Sequence, residues 1–241
     1  MERHEPEPEL AFLDGLEDQP SLDSGELDDL FAGIQGQVEK SGARPLNRLA
    51  EQPTNRRRLF GLLCFGLILG GLGTLPAGYS PLTAAVVMGS FGTLLVAAVL
   101  VAFRPIYVPA LSPVWKVGLC VVAIVAAVAV ALVPDLHHHA TGEVPEGAFL
   151  WHAVPCLSFG LMAGLPGYVF LRLLDRGAPF GRVLAGAAAG LMGNMVLELR
   201  CAVGNTEHLV LGHAMVVAAF IVGVVLVERV IVRALAARRT K

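Results

Sequence analysis

The feature that most constrains this chain is a series of long apolar segments that follows Arg58. A helix needs about 20 residues to cross the hydrocarbon layer of a membrane. The composition agrees, because 55% of the residues are hydrophobic and only 16% are charged, whereas about a quarter of a soluble domain is charged. We therefore predict an all-α, multi-pass membrane protein with six spans, at about 59–78, 81–103, 114–133, 149–174, 180–200 and 208–232.

The net charge of -2 hides an uneven distribution of charge along the chain. Residues 1–39 hold 12 acids and one base, and residues 40–58 hold six bases and one acid. The later bases lie between spans 2 and 3, between spans 4 and 5 and after span 6, whereas Arg200 alone lies between spans 5 and 6. Because Lys and Arg are retained in the cytoplasm, both termini are predicted to be cytoplasmic.

The same distribution excludes two other classes of protein. The acidic start, residues 1–8, is unlike a secretory signal peptide, which begins with basic residues. Most bases lie beside membrane segments, so no large basic surface is left to hold nucleic acid directly. We divide the chain into a cytoplasmic tail with a basic juxtamembrane collar, 1–58, a transmembrane domain, 59–235, and a short cytoplasmic C-terminal tail, 236–241.

The tail is predicted to be partly disordered, because residues 1–26 are rich in Glu, Asp and Pro. After Ser24, apolar residues recur with the spacing of one helix face, which predicts a short amphipathic helix. The face consists of Leu27, Leu30, Phe31, Ile34 and Val38. Its flanking acids, including Asp28 and Asp29, suit the groove of a basic partner protein, and packing on the membrane domain is the alternative. The collar is expected to contact membrane lipid headgroups.

Polar side chains gather at the predicted outer side of the membrane. The candidate metal ligands there are His152, Cys156, Glu198, Cys201, His208 and His213. Thiolate, imidazole and carboxylate groups at one helix end suit zinc or another soft metal. Alternatively, Cys156 and Cys201 form a disulfide in the oxidising periplasm, or these residues are ordinary interface anchors and small packed side chains. The run His137–His139 is a poorer candidate, because a flexible loop can bind metal weakly without function.

Catalysis and transport have less support in the sequence. The chain contains no HExxH, Gly-x-Ser-x-Gly or Walker-type motif, so we do not predict an enzyme. Glu198 and Glu228 lie near span ends, whereas a transporter usually carries charges near mid-membrane. Gly66 to Gly70 matches the GxxxG pattern, for which we expect packing within the chain and keep a homodimer as the alternative.

Several short stretches resemble the six-pass membrane anti-sigma factors of the NrsF type, a group that includes the light-responsive CarR type. The resemblance covers about residues 24–235. Its residues are Leu27–Leu30, Arg44–Leu49, Pro53–Arg58, Cys156, Gly186–Gly193, Leu199–Cys201, His208 and His213. The chain departs from the family by the acidic extension 1–23 and by Cys201-Ala202 where relatives have Cys-Pro.

The resemblance implies a function. A cytoplasmic segment of such a protein binds an extracytoplasmic-function sigma factor and holds it away from RNA polymerase, until a signal reaches the membrane part. The sigma-binding residues would be the tail face together with Asp28 and Asp29, and the paired sensor cysteines would be Cys156 and Cys201. From the residues alone, the alternatives are a membrane metal- or redox-binding sensor with the tail as a tether, and a small transporter.

Overall fold

The computed structural model of the chain describes residues 49–73, 81–104, 111–133, 148–175 and 181–239, together with Gly25, Pro109 and Leu136. The predicted contact face of the tail, within residues 27–38, lies outside the described residues, and so does the run 137–139. Met1–Asn47 and Arg48–Lys241 form two separate compact units. The helices described below belong to the second unit.

Within the described residues, the second unit is helical. Its helices are α1 (Thr54–Leu72), α2 (Pro81–Ala102), α3 (Pro113–Ala131), α4 (Phe149–Leu174), α5 (Gly181–Arg200) and α6, which runs from Thr206 to Arg239. Helix α6 has three consecutive parts, an α-helical turn Thr206–His208, a π-helical segment Leu209–Ala214 and an α-helix Met215–Arg239. The prediction of an all-α fold is confirmed for this part of the chain.

Five of these helices are long and apolar enough to cross a membrane. The spanning segments are Pro81–Ala102, Pro113–Ala131, Leu150–Leu174, Gly181–Arg200 and Thr206–Val227. Helix α1 differs because Arg56, Arg57 and Arg58 lie near its start, which leaves only residues 59–72 uncharged within the helix. Fourteen such residues rise about 21 Å. The predicted multi-pass membrane architecture is therefore confirmed at the level of five spans.

Helix α5 is the centre of the bundle and packs against α2, α4 and α6. Small residues allow this packing, because they let neighbouring backbones approach closely. A Cβ added at Gly193 would overlap the carbonyl oxygen of Gly160 in α4, and one added at Gly190 would lie 2.7 Å from the Cα of Val217 in α6. Seventeen residues of α5 are buried, so the helix is largely shielded from lipid.

Two glycines of α1, those of the GxxxG pattern, do not take part in the packing of the bundle. Gly66 and Gly70 are exposed, and a Cβ added at either position would meet no atom of the described residues within 4 Å. The expectation that this GxxxG pattern packs within the chain is therefore wrong for the described part, because the helix turns these two residues outward. The homodimer alternative stays a prediction.

Two arginines of the predicted collar bind the ends of neighbouring helices. Arg57 is buried, and its Nη1 donates to the carbonyl oxygen of Leu174, the last residue of α4, at 3.2 Å. Arg58 donates to the carbonyl oxygens of Phe103 at 2.8 Å and Leu100 at 3.0 Å, at the end of α2. The last carbonyls of a helix lack partners within the helix. These two side chains therefore stabilise helix ends, and the contact of the collar with lipid headgroups stays a prediction.

The different contacts of Arg56 and Arg57 predict that replacing each by alanine has a different effect on stability. Arg57→Ala leaves a buried carbonyl of α4 without its donor, which typically costs about 1–3 kcal/mol. Arg56 is exposed and makes one long hydrogen bond, 3.5 Å, to the side chain of Gln52, so Arg56→Ala is expected to change stability by less than about 0.5 kcal/mol. Unfolding midpoints of the detergent-solubilised variants measure both effects, and equal midpoints would contradict the buried role of Arg57.

Candidate metal centre

Four metal-ligating side chains from three parts of the bundle meet at one place. They are Cys156 near the start of α4, Cys201 directly after α5, and His208 and His213 in α6. One ligand atom of each lies within 4.8 Å of those of the other three. We call these four residues the Cys–His cluster. It joins the N-terminal part of α4 and the C-terminal end of α5 to the start of α6.

The spacing of the donor atoms fits a tetrahedral metal site. The Sγ atoms of Cys156 and Cys201 are 3.9 Å apart, and Sγ of Cys201 is 3.2 Å from Nε2 of His208. In a tetrahedral zinc site with ordinary bond lengths, two sulfur ligands lie about 3.8 Å apart and a sulfur and a nitrogen about 3.5 Å apart. Two cysteines and two histidines are a usual donor set for zinc. The cluster therefore fits zinc or a similar soft divalent ion.

The two types of ligand differ in their exposure. The side chains of His208 and His213 are buried, whereas the two cysteines are half-buried. Both cysteines line an open pocket of about 390 Å³ together with Pro155, Phe159, Leu197 and Arg200. The guanidinium of Arg200 lies 5.6 Å from the centroid of the Phe159 ring. The cluster is therefore open on its sulfur side and enclosed on its imidazole side.

The π-helical segment Leu209–Ala214 brings the two histidines together. His208 and His213 are five residues apart, and in an α-helix five residues turn by about 500°, which leaves the side chains about 140° apart. Hydrogen bonds from i to i+5 widen a π-helix, so that residues five apart lie on the same side. The ring centroids of His208 and His213 are 5.4 Å apart. The ligand geometry therefore depends on this irregular turn.

A helix cap defines where α6 begins. The side-chain oxygen of Asn205 accepts hydrogen bonds from the backbone N–H groups of Glu207, at 3.0 Å, and His208, at 3.3 Å. Asparagine is among the preferred residues at this position, since it satisfies donors that have no partner within the helix. The cap sets the position of His208, three residues later, relative to Cys201.

The protonation of Cys201 reflects its neighbours. The hydrogen bond with Cys156 and the burial of the side chain hold the pKa of the Cys201 thiol above its ordinary value, although His208 and His213 act in the opposite direction. All four cysteines are free thiols, and a disulfide between Cys156 and Cys201 would require an S–S distance near 2.05 Å. The disulfide and the metal site remain alternative states of one pair of sulfurs.

The structure separates the six predicted ligands into two groups. Cys156, Cys201, His208 and His213 form the cluster. His152 is exposed on α4 and does not belong to it. Glu198 is also outside the group of four, and its Oε1 lies 3.1 Å from Nδ1 of His213.

Sequence reasoning missed two features that shape the site. It used the period of an α-helix throughout and so did not foresee the π-helical segment. It also did not assign Asn205 as a helix cap, although Asn directly before a helix that starts at Thr206 is a recognisable signal.

The chain matches no protein-family model, no curated protein and no solved structure in comparisons with each.

Proposed function

We propose that this chain is a six-pass inner-membrane anti-sigma factor whose Cys–His cluster binds a soft divalent metal ion and receives the signal. The observation that carries the proposal is the meeting of four donor atoms within 4.8 Å, contributed by three different elements of a membrane bundle. Both imidazoles are buried, and Nδ1 of His208 and Nε2 of His213 have no hydrogen-bond partner among the described residues, a deficit that a bound ion would partly relieve. A bound ion would hold the ends of α4, α5 and α6 together, and its loss would release them.

A physical route between the cluster and the tail supports this proposal. Cys156 lies near one end of α4, and Leu174 ends the helix. The intervening residues rise about 27 Å, close to the thickness of a bilayer core. The carbonyl oxygen of Leu174 accepts a hydrogen bond from Arg57, close to where the tail of residues 1–58 meets the bundle. A movement of α4 at the cluster therefore acts on the residue that anchors the tail.

The orientation in the membrane belongs to the same proposal. In the proposal α1 is counted as a sixth span, although its uncharged part, residues 59–72, is shorter than the other five. Every base except Arg200 then lies on the cytoplasmic side together with both termini, and the cluster lies on the periplasmic side with Arg200. In this orientation the cluster meets metals or oxidants from outside, while the tail meets a sigma factor inside.

Substitutions in the tail face of the full-length chain test whether this face binds a sigma factor. The double substitution Leu30→Asp/Phe31→Asp places two charges on the predicted apolar face. If a neighbouring reading frame encodes an extracytoplasmic-function sigma factor, its binding is expected to fall at least 100-fold, about 2.7 kcal/mol. The matched control is Ala32→Asp/Gly36→Asp, which adds the same charge to the opposite side of the predicted helix. Co-purification and titration of the detergent-solubilised chain measure the affinity.

The outcomes separate the proposal from its nearest alternative. Equal binding by both double variants would remove the proposed face. No binding by the unmodified chain would remove the anti-sigma function and would favour a membrane metal- or redox-binding protein whose tail is a tether. The Cys–His cluster supports that second function equally, and deletion of residues 1–40 would then leave the response to metal intact.

A further inference from the structure

Glu198 and His213 form a buried pair beside the cluster. The side chains are 2% and 1% exposed, and Oε1 of Glu198 lies 3.1 Å from Nδ1 of His213. The pair joins α5 to α6 in a part of the chain that spans the membrane. A carboxylate in such surroundings is costly unless a donor contacts it. The hydrogen bond from His213 supplies such a donor.

The pair also determines which nitrogen of His213 can bind a metal. A metal-bound imidazole is neutral and carries one proton, and a carboxylate can only accept, so with a metal bound the proton would be at Nδ1. The lone pair is then at Nε2, on the opposite side of the ring. Among the described residues, Nε2 of His213 has no hydrogen-bond partner although it is buried. A bound ion would satisfy this atom.

We propose that Glu198 is a positioning residue of the metal centre, which orients His213 and selects its Nε2 as the donor. The inference depends on the metal site proposed above and deepens it. The sequence placed Glu198 among six candidate ligands. In the proposal it is not a ligand, because its oxygen contacts Nδ1 of His213, whereas Nε2 is the nitrogen assigned to the metal. Carboxylates that hold a metal-bound histidine in this way typically contribute 10- to 100-fold to metal affinity.

The test is a competition titration of the purified full-length chain with Co²⁺ and Zn²⁺ against a chelator. Glu198→Gln keeps the shape and one acceptor oxygen but removes the charge, so the affinity is expected to fall about 10- to 100-fold while the number of ions per chain is unchanged. The matched control is Glu207→Gln, the same change at an exposed position one residue before His208. It is expected to bind like the unmodified chain.

The absorption spectrum of the Co²⁺ form distinguishes positioning from ligation. If Glu198 positions His213, the Glu198→Gln variant keeps the intense visible bands of a tetrahedral cobalt site and its sulfur-to-cobalt band. If Glu198 is itself a ligand, its replacement changes the intensity and pattern of these bands, and the proposal is overturned. Unchanged affinity in Glu198→Gln also overturns it.

A second variant tests the proposal if Glu198→Gln does not fold. Glu198→Asp keeps the charge but shortens the side chain, so it is expected to weaken metal binding because the carboxylate no longer reaches Nδ1 of His213. Unchanged affinity in this variant overturns the proposal as well. If the unmodified chain binds no metal, both the proposed metal centre and the role of Glu198 are wrong. If the chain binds metal equally well with and without Glu198, only the proposed role of Glu198 is wrong.

Discussion

Purified full-length protein is expected to bind one Zn²⁺ or Co²⁺ ion per chain, and the variant Cys156→Ser/Cys201→Ser is expected to lose this ion. The two sulfurs lie 3.9 Å apart and are half of the donor set, and a serine hydroxyl is a poor ligand for a soft ion. Elemental analysis gives the stoichiometry, and the sulfur-to-cobalt absorption band reports the thiolates directly. Loss of the cysteines should abolish this band.

The chain offers a matched control for this experiment. Cys64 and Cys120 are the other two cysteines, and neither belongs to the cluster. Cys64→Ser/Cys120→Ser makes the same chemical change and is expected to retain the ion. A third variant, with alanine at His137, His138 and His139, tests whether weak binding by that run contributes. An ion that survives loss of Cys156 and Cys201 but not loss of the three histidines would contradict the proposed centre.

Metal binding should also stabilise the bundle, because the cluster joins three of its elements. A ligand that binds only the folded state at 1,000 times its dissociation constant adds about 4 kcal/mol of stability. Unfolding midpoints with excess zinc and with excess chelator are therefore expected to differ clearly for the unmodified chain. The variant without Cys156 and Cys201 should show the same midpoint under both conditions.

The second large effect is expected at Gly193, where α4 and α5 approach most closely. A Cβ at this position would overlap the carbonyl oxygen of Gly160, which is backbone and cannot move aside without moving α4. Forcing extra atoms into a packed interior costs about 1–3 kcal/mol. Gly193→Ala is therefore expected to lower the free energy of unfolding by at least this amount, and Gly193→Leu by more.

A glycine on the outside of the same bundle is the control. At Gly223 in α6, an added Cβ meets no atom of the described residues within 4 Å. Gly223→Ala removes the helix-propensity penalty of glycine, up to about 1 kcal/mol, and is expected to be neutral or stabilising. Opposite signs for the two substitutions support the packing, and equal destabilisation by both would contradict it.

Gly193→Leu is also expected to weaken metal binding at the Cys–His cluster. Gly160 lies one helical turn beyond Cys156 in α4, and Gly193 lies about two turns before Cys201. Separating the two helices at this contact moves the sulfurs apart, so Gly193→Leu should weaken metal binding although it removes no ligand. Titration with Co²⁺ tests this, with Gly223→Leu as the matched control.

The membrane-spanning character of the chain was predictable from the sequence, because a long uncharged apolar segment has few other stable environments. The boundaries of α2 to α5 agree with the predicted spans within one or two residues. The sequence also contained a hint of which helix is central. Helix α5 has the lowest mean hydropathy of the five spanning helices, 1.2, as suits a small-residue helix that contacts protein on most sides.

The contacts of Arg57 and Arg58 could not be predicted from the sequence. A run of bases beside a span predicts an orientation through the charge alone, whatever the side chains contact. Whether a given arginine meets lipid or a helix end depends on which carbonyls lie nearby, and for Arg57 and Arg58 these belong to Leu174 and Phe103. Those partners are 117 and 45 residues away along the chain, too far for any local pattern to indicate.

The sequence by itself determined the apolar helices of the fold and predicted that cysteine and histidine gather near the ends of three of them. Only the tertiary structure decided which of them meet. Cys156 reaches Cys201 because small residues let α4 and α5 pack closely, and His213 joins His208 because a π-helical segment replaces the expected α-helix. Both depend on contacts between helices, which the spacing of residues within one helix does not encode.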